Sequence, residues 1–231
     1  MRNIVILTGA GVSAESGLGT FRDAGGIWTK YDFRDVATPE GFARSPALVH
    51  EFYNARRANC RKAAPNAAHA ALARLERNFG GEVLVITQNV DDLHERAGSR
   101  NVRHMHGELF GALCASCGHR WDAPVRMSGA DACPSCRART VRPDVVWFGE
   151  MPYCMDEIAA ALGRADLFVA IGTSGQVYPA AAFVQDASAA GARTLEINLE
   201  RTAISGDFDA GRYGPAGELV PRWVGEVLGE R

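Results

Sequence analysis

What this sequence lacks narrows it first. No apolar run approaches the ~20 residues that a membrane-spanning helix needs, and the first one, Ile4 to Leu7, starts too early to follow the charged leader of a signal peptide. A cytoplasmic protein is therefore expected. Positive charge is not in excess: 25 Lys and Arg stand against 27 Asp and Glu, a net charge of −2, which argues against a dedicated nucleic-acid binder. Cysteine is scarce, six in 231 residues, and four of the six fall into two C-x-x-C pairs. In a reducing compartment such pairs read as metal ligands, not disulfide partners. Cys60 and Cys154 stand alone and read as packed or free thiols.

No internal repeat or low-complexity tract is present, and the length suits one large core or one domain with a smaller module inserted. Short apolar, β-branched-rich runs recur at Ile4–Leu7, Val83–Ile86, Val102–Met105, Leu167–Ile171 and Leu195–Leu199. Between them Ala68, Ala71, Leu72, Leu75 and Phe79 keep helical spacing, as do Ile158, Ala161, Leu162 and Ala165. Phe183, Val184 and Ala187 suggest a further helix, and Pro221 a start for a terminal one carrying Val224, Val227 and Leu228. The alternation predicts an α/β fold: a Rossmann-like parallel sheet with helices on both faces, binding ligands where its strands end. Residues 21–62, helix-rich, and 108–142, with the cysteines, break the pattern. They are expected to form a small lobe of helical module and zinc ribbon, leaving 1–20, 63–107 and 143–231 to the Rossmann-like domain.

The first predicted strand runs into Gly9-Ala10-Gly11-Val12-Ser13-Ala14, a G-x-G-x-x-A match. Glycines let the backbone turn tightly and approach a pyrophosphate. The acidic residue usual about 20 positions on is not evident, so a dinucleotide would be held differently from that of a common dehydrogenase. Cys114-x-x-Cys117 and Cys133-x-x-Cys136, 15 residues apart, have zinc-ribbon spacing. Four thiolates leave no open coordination position, so one structural zinc per chain is expected. Thr87-Gln88-Asn89-Val90-Asp91 and His104-Met105-His106-Gly107 follow the second and third strands, which puts them on the edge that carries the glycine loop.

With these segments, Glu15-Ser16-Gly17, Phe21-Arg22, Val145-Val146-Trp147-Phe148-Gly149-Glu150, Gly172-Thr173-Ser174 and Asn198-Leu199-Glu200 occurring in family order, the chain resembles the sirtuins, NAD-dependent protein lysine deacylases, over essentially its whole length. The resemblance implies NAD as cosubstrate between the lobes. Gly9, Ala10, Gly11, Ala14, Glu15, Phe21, Arg22 and Trp28 would lie along it, with Gln88, Asn89, Val90 and Asp91 around nicotinamide and its ribose. Gly172, Thr173, Ser174, Asn198, Leu199, Glu200 and Ala216 would face the adenosine. The implied catalytic residues are His106, as general base for a ribose hydroxyl, and Asn89. The acyl-lysine oxygen attacks the ribose carbon bearing nicotinamide, and the products are free lysine, nicotinamide and an O-acyl-ADP-ribose.

Acylated-lysine proteins or peptides are the implied partners, added as a strand along Val146, Phe148, Gly149 and Glu150. Tyr53 and Arg56, three apart in a helical segment, with Ala37 as the small residue that widens the pocket, resemble the branch that removes succinyl, malonyl and glutaryl groups. Gly19 stands where many members have proline, which predicts a less preorganised cofactor loop. Two rivals remain: ADP-ribosyl transfer to a protein from the same NAD site, and a non-catalytic zinc-ribbon binding module.

Overall fold

Residues 1–19 and 31–230 are described by the computed structural model. In chain order the strands are β1 (Asn3–Thr8), β2 (Glu82–Thr87), β3 (Val102–His104), β4 (Gly107–Cys114), β5 (Arg120–Asp122), β6 (Val141–Val145), β7 (Leu167–Ile171), β8 (Arg193–Asn198) and β9 (Ala210–Tyr213). The helices are α1 (Ala10–Ala14), α2 (Phe33–Val36), α3 (Pro39–Arg44), α4 (Pro46–Cys60), α5 (Ala67–Asn78), α6 (Leu93–Arg96), α7 (Met155–Leu162), α8 (Phe183–Ala189) and α9 (Ala216–Leu228). No described helix is long and apolar enough to cross a membrane.

Six strands form a parallel sheet in the order β3-β2-β1-β7-β8-β9. Its central strands are apolar along their whole length because helices cover both faces. Ile4 and Ile6 of β1 pack with Leu72 of α5 and Val220, Trp223 and Val224 of α9. Val5 and Leu7, alternating to the other face, pack with Ile158 of α7 and Phe183 and Val184 of α8. The strand order reverses between β1 and β7, so the carboxyl ends of these two neighbours open the crevice where such sheets bind ligands.

Pro221 does not begin the last helix. α9 starts five residues earlier and carries Pro221 inside it. The amide of Gly217 in its first turn donates to Glu15 Oε1 at 2.9 Å, a cap supplied from the other end of the chain, which local sequence could not reveal.

A second sheet, antiparallel and three-stranded in the order β5-β4-β6, carries the cysteines. α4 is bolted to it by buried polar groups: Asn54 Nδ2 donates to Met127 O at 2.9 Å, Met127 N returns a bond to Asn54 Oδ1 at 2.8 Å, and Arg57 Nη1 donates to Leu109 O at 3.2 Å. These bonds fix the rotation of α4 and hence where Tyr53 and Arg56 point.

Candidate active site

At the reversal point the two backbones touch. Gly9 N donates to Ile171 O at 3.0 Å and Gly11 N to Gly172 O at 2.9 Å. A Cβ on Gly9 would lie 2.7 Å from Gly172 O, so the residue type is dictated by the approach of β7. Gly172, at φ +62, is in the left-handed region. The result is a cradle of bare backbone at the strand ends. Beside it Gln88, Leu7, Phe168, Thr173, Val177 and Ile204 line a depression.

Behind the cradle is a buried polar cluster. Asn89 Nδ2 donates to Gly9 O and to Ser13 Oγ, both at 3.1 Å, and the Ser13 hydroxyl donates to Asp91 Oδ2 at 3.1 Å. Asp91 also accepts from Leu93 N at 3.2 Å. Burial raises the Asp91 carboxyl, while these two donors and the nearby His104 work against that rise. His69 Nδ1 accepts from Asn66 N at 3.3 Å in the capping box of α5, which leaves Nε2–H to donate to Ser13 Oγ at 3.4 Å. His94 bonds Thr8 Oγ1 at 3.0 Å, and the two rings meet edge to face at 4.9 Å. Burial pushes both imidazoles down, His69 to about 4 and His94 to about 3, so both are neutral.

The two histidines at the end of β3 differ in kind. His106 Nδ1 lies 3.1 Å from Gln88 O and must donate to it, leaving Nε2 with its lone pair and no partner among the described residues. Burial lowers its pKa, partly offset by that carbonyl. His106 is thus a neutral imidazole at pH 7. His104 is bonded at both nitrogens, Nδ1 to Asn89 O at 3.0 Å and Nε2 to Glu95 Oε1 at 2.9 Å. Burial opposes its charge, but Glu95 and the Asn89 carbonyl outweigh burial and raise its pKa.

On the far side of the crevice Asn198 Nδ2 donates to Thr173 O at 2.7 Å and its Oδ1 accepts from Leu199 N at 3.0 Å. Ser174 Oγ accepts from Gln176 N at 3.3 Å. Leu199 and Glu200 are exposed, and Ala216 opens α9 beside the Glu15 carboxylate. Ala10 and Ala14 bound α1, the latter exposed.

The cysteines converge as their spacing requires. Cys114 and Cys136 Sγ are 3.6 Å apart, Cys117 and Cys133 Sγ 3.8 Å, and all four sulfurs lie within 4.8 Å of one another. Tetrahedral zinc with Zn–S of about 2.3 Å needs sulfurs about 3.8 Å apart. The quartet therefore fits zinc, and it fills the coordination sphere.

The helical segment and the loop after β6 meet in one cluster holding Val36, Ala37, Phe52, Tyr53, Val145 and Trp147, with Val90 against it. Trp147 Nε1 donates to the Tyr53 hydroxyl at 3.0 Å, and burial raises the Tyr53 pKa. Arg56 is half-buried, its guanidinium over the Phe52 and Tyr53 rings at 5.7 and 5.6 Å. Burial lowers its pKa, with Tyr53 and Asp91 acting the other way. Val146 N donates to His106 O at 2.9 Å and Phe148 N to Ala37 O at 3.0 Å, which aligns the loop beside His106. Phe148 and Gly149 are exposed, Gly149 at φ +90. Glu150 turns inward: Arg142 grips both its oxygens at 2.6 and 2.8 Å, and Trp147 N donates to it at 2.8 Å.

The sequence pattern of the Sir2 family matches residues 9–179. The chain belongs to the Sir2 family. It is 59% identical over 229 residues to the NAD-dependent protein deacylase of Caulobacter vibrioides, covering 97% of this chain and 96% of that one. To the NAD-dependent protein deacylase of Salmonella typhimurium it is 53% identical over 230 residues, covering 97% and 84%. Among solved structures it resembles a Sir2 homolog–NAD complex, with a TM-score of 0.90 at 41% identity over 98% of this chain and 89% of that one. It also resembles Sir2 bound to acetylated peptide, with a TM-score of 0.82 at 31% identity over 100% and 94%.

In this Sir2 chain Asn89 joins Asp91, through Ser13, to the glycine cradle, His106 is bonded to the neighbouring Gln88 carbonyl, and Tyr53 and Ala37 share an apolar cluster with Trp147. Phe21, Arg22 and Trp28 lie outside the described residues. Sequence reasoning missed Ser13, His69, His94 and Thr8, the support beneath Asn89 and Asp91. One signal was available: Asn66-x-x-His69 at a helix start marks a capping box.

Proposed function

We propose that this chain is an NAD-dependent protein lysine deacylase acting on acetyl-lysine and on acidic acyl-lysines such as succinyl and malonyl. The observation that carries it is the fixed tautomer of His106, Nδ1–H on Gln88 O with Nε2 free, beside the Asn89 and glycine-cradle groups. NAD, when bound, supplies an electrophilic ribose carbon and the hydroxyl that takes the acyl group, with nicotinamide as leaving group. His106 Nε2 accepts the proton of that hydroxyl. Asn89 and Asp91, held by Ser13, orient the cofactor. The cysteine quartet has no open position and takes no part in the reaction.

Peptide substrates add along Val146, Phe148 and Gly149, and the inward ion pair of Glu150 keeps that segment in shape. Arg56 offers a forked cation to the distal carboxylate of a succinyl chain, with Tyr53 and Ala37 shaping the pocket. We also divide the chain into a large domain of residues 1–20, 63–107 and 143–231 and a small one of 21–62 and 108–142, a division supported by the two separate sheets. Four thiolates that hold a zinc ion suit the cytoplasm, where cysteines stay reduced.

Mass spectrometry of matched acetyl-, succinyl- and unmodified-lysine peptides incubated with NAD tests the reading. Nicotinamide release coupled to deacylation is expected, and His106→Tyr should abolish it while the protein stays folded and zinc-loaded. Nicotinamide release with no loss of acyl groups would favour ADP-ribosyl transfer instead.

A further inference from the structure

Two neighbouring backbone carbonyls are each held by a histidine. Gln88 O accepts from His106 and Asn89 O from His104, because residues 104 and 106 project to the same side while Met105, between them, is buried on the other. The intervening Asn89 N donates to Thr87 Oγ1 at 3.0 Å, and Val90 O accepts from Leu109 N at 2.7 Å. Every bond that sets the Gln88–Val90 backbone thus comes from a fixed donor or acceptor, and the one from His104 is backed by the Glu95 carboxylate. A charge-assisted donor holds a carbonyl more firmly than a neutral one.

We propose that His104 is a positioning residue for the reaction: clamped between Glu95 and Asn89 O, it fixes the peptide segment that presents the Asn89 side chain to the cofactor and Gln88 O to His106. If His104 lets go, the Asn89 carbonyl swings, Gln88 O turns with it, and His106 loses the acceptor that keeps its proton on Nδ1. The base then spends part of its time in the unproductive tautomer. This inference rests on the reading of His106 as base. The groups that act on His104 are Glu95 and His94 of α6, Asp91 before that helix, and Glu108 of β4. The carboxylates outnumber the neutral His94, so their sum favours the charged ring.

The test uses the whole zinc-loaded enzyme in three variants. In His104→Leu, kcat should fall about 10-fold, the loss of one charged hydrogen bond, with KM for the acyl peptide within about 2-fold. His104→Asn keeps a donor near Nδ1 and should regain most of that rate. Glu95→Gln, which leaves His104 its bond to Asn89 O but removes the carboxylate behind it, should lower kcat by less than His104→Leu does; a loss as large as that of His104→Leu would count against a direct role for the His104–Asn89 bond. Imidazole ¹⁵N spectra should show His106 as the Nδ1–H tautomer in the parent and a mixture in His104→Leu. Unchanged kcat in His104→Leu, equal loss in the Leu and Asn variants, or an unaltered His106 tautomer would overturn the proposal. Turnover retained in His106→Ala would remove the base reading itself, and with it this role, whereas a dead His106→Ala beside a fully active His104→Leu rejects His104 alone.

Discussion

Gly11 and Gly172 are in mutual contact with no room for a methyl group on either: a Cβ on Gly11 would lie 2.7 Å from Gly172 Cα, and one on Gly172 would lie 2.7 Å from Gly11 C. Gly172 also needs its φ of +62. Gly172→Ala therefore adds left-handed strain to a backbone clash, expected to cost about 2–3 kcal/mol together. Thermal denaturation should show a fall of about 5–10 °C, and calorimetry should show loss of NAD binding at temperatures where the variant is still folded. A variant that binds NAD as the parent does would show that the cradle is not the cofactor contact.

Removal of zinc should melt one sheet and spare the other. Cys114 and Cys133 are buried in a small cluster with Met127 and Val141, against which Trp121 packs, and that cluster has little apolar area beyond the metal site. A strong chelator should release one zinc per chain and red-shift the Trp121 emission, while hydrogen exchange in β1, β2 and β7 stays slow. Exchange that accelerates equally in all strands would contradict separate stabilisation.

Arg56→Met should separate the two acyl classes. A charged hydrogen bond to a carboxylate contributes about 1.5–3 kcal/mol, so kcat/KM for succinyl peptide should fall roughly 10- to 100-fold. For acetyl peptide, which has no distal charge, the change should stay within about 3-fold. Arg57, fully buried and bonded to Leu109 O, serves as the internal control: its replacement should lower stability and both activities together.

The buried histidines predict an acid limb in stability. Above pH 6.5 both rings are neutral, folded or unfolded, and cost nothing. Below it the unfolded chain binds protons that the folded chain refuses until pH approaches about 4 for His69 and about 3 for His94. Stability therefore falls as pH falls through that window, by about 1.4 kcal/mol per pH unit for each histidine. Urea titrations at pH 7, 6 and 5 should show it, and His94→Gln should make the slope shallower by up to about 1.4 kcal/mol per pH unit. An unchanged slope would mean that His94 is protonated in the folded state.

The central strands could be read from sequence because burial on both faces makes them continuous apolar runs, and the cysteines because chelation fixes their spacing. β9 could not: its Ala210-Gly211-Arg212-Tyr213 has no strand signature and is held by its register against β8. β6 hid for another reason, since its buried Arg142 and Asp144 are matched by Glu150, Arg120 and Tyr153 contributed from elsewhere. In the site, Asn89 and His106 stood out as strand-end polar residues. The Ser13, His69 and His94 support did not, because it joins three segments that only the folded sheet brings together.

The bond from Gly217 to Glu15 also has a consequence for the order of synthesis. The glycine loop is made well before its flank is capped: Glu15 meets Gly217 of α9 only after some 200 further residues have been synthesised. Gly172, the other wall of the cradle, is likewise late. A nascent chain can assemble β1 to β3 early, since folding during synthesis proceeds from the amino end. It cannot complete the cofactor cradle before β7 and Gly172 are made, and a ribosome stalled between Gly172 and residue 216 leaves a cradle whose Glu15 flank lacks its bond to Gly217.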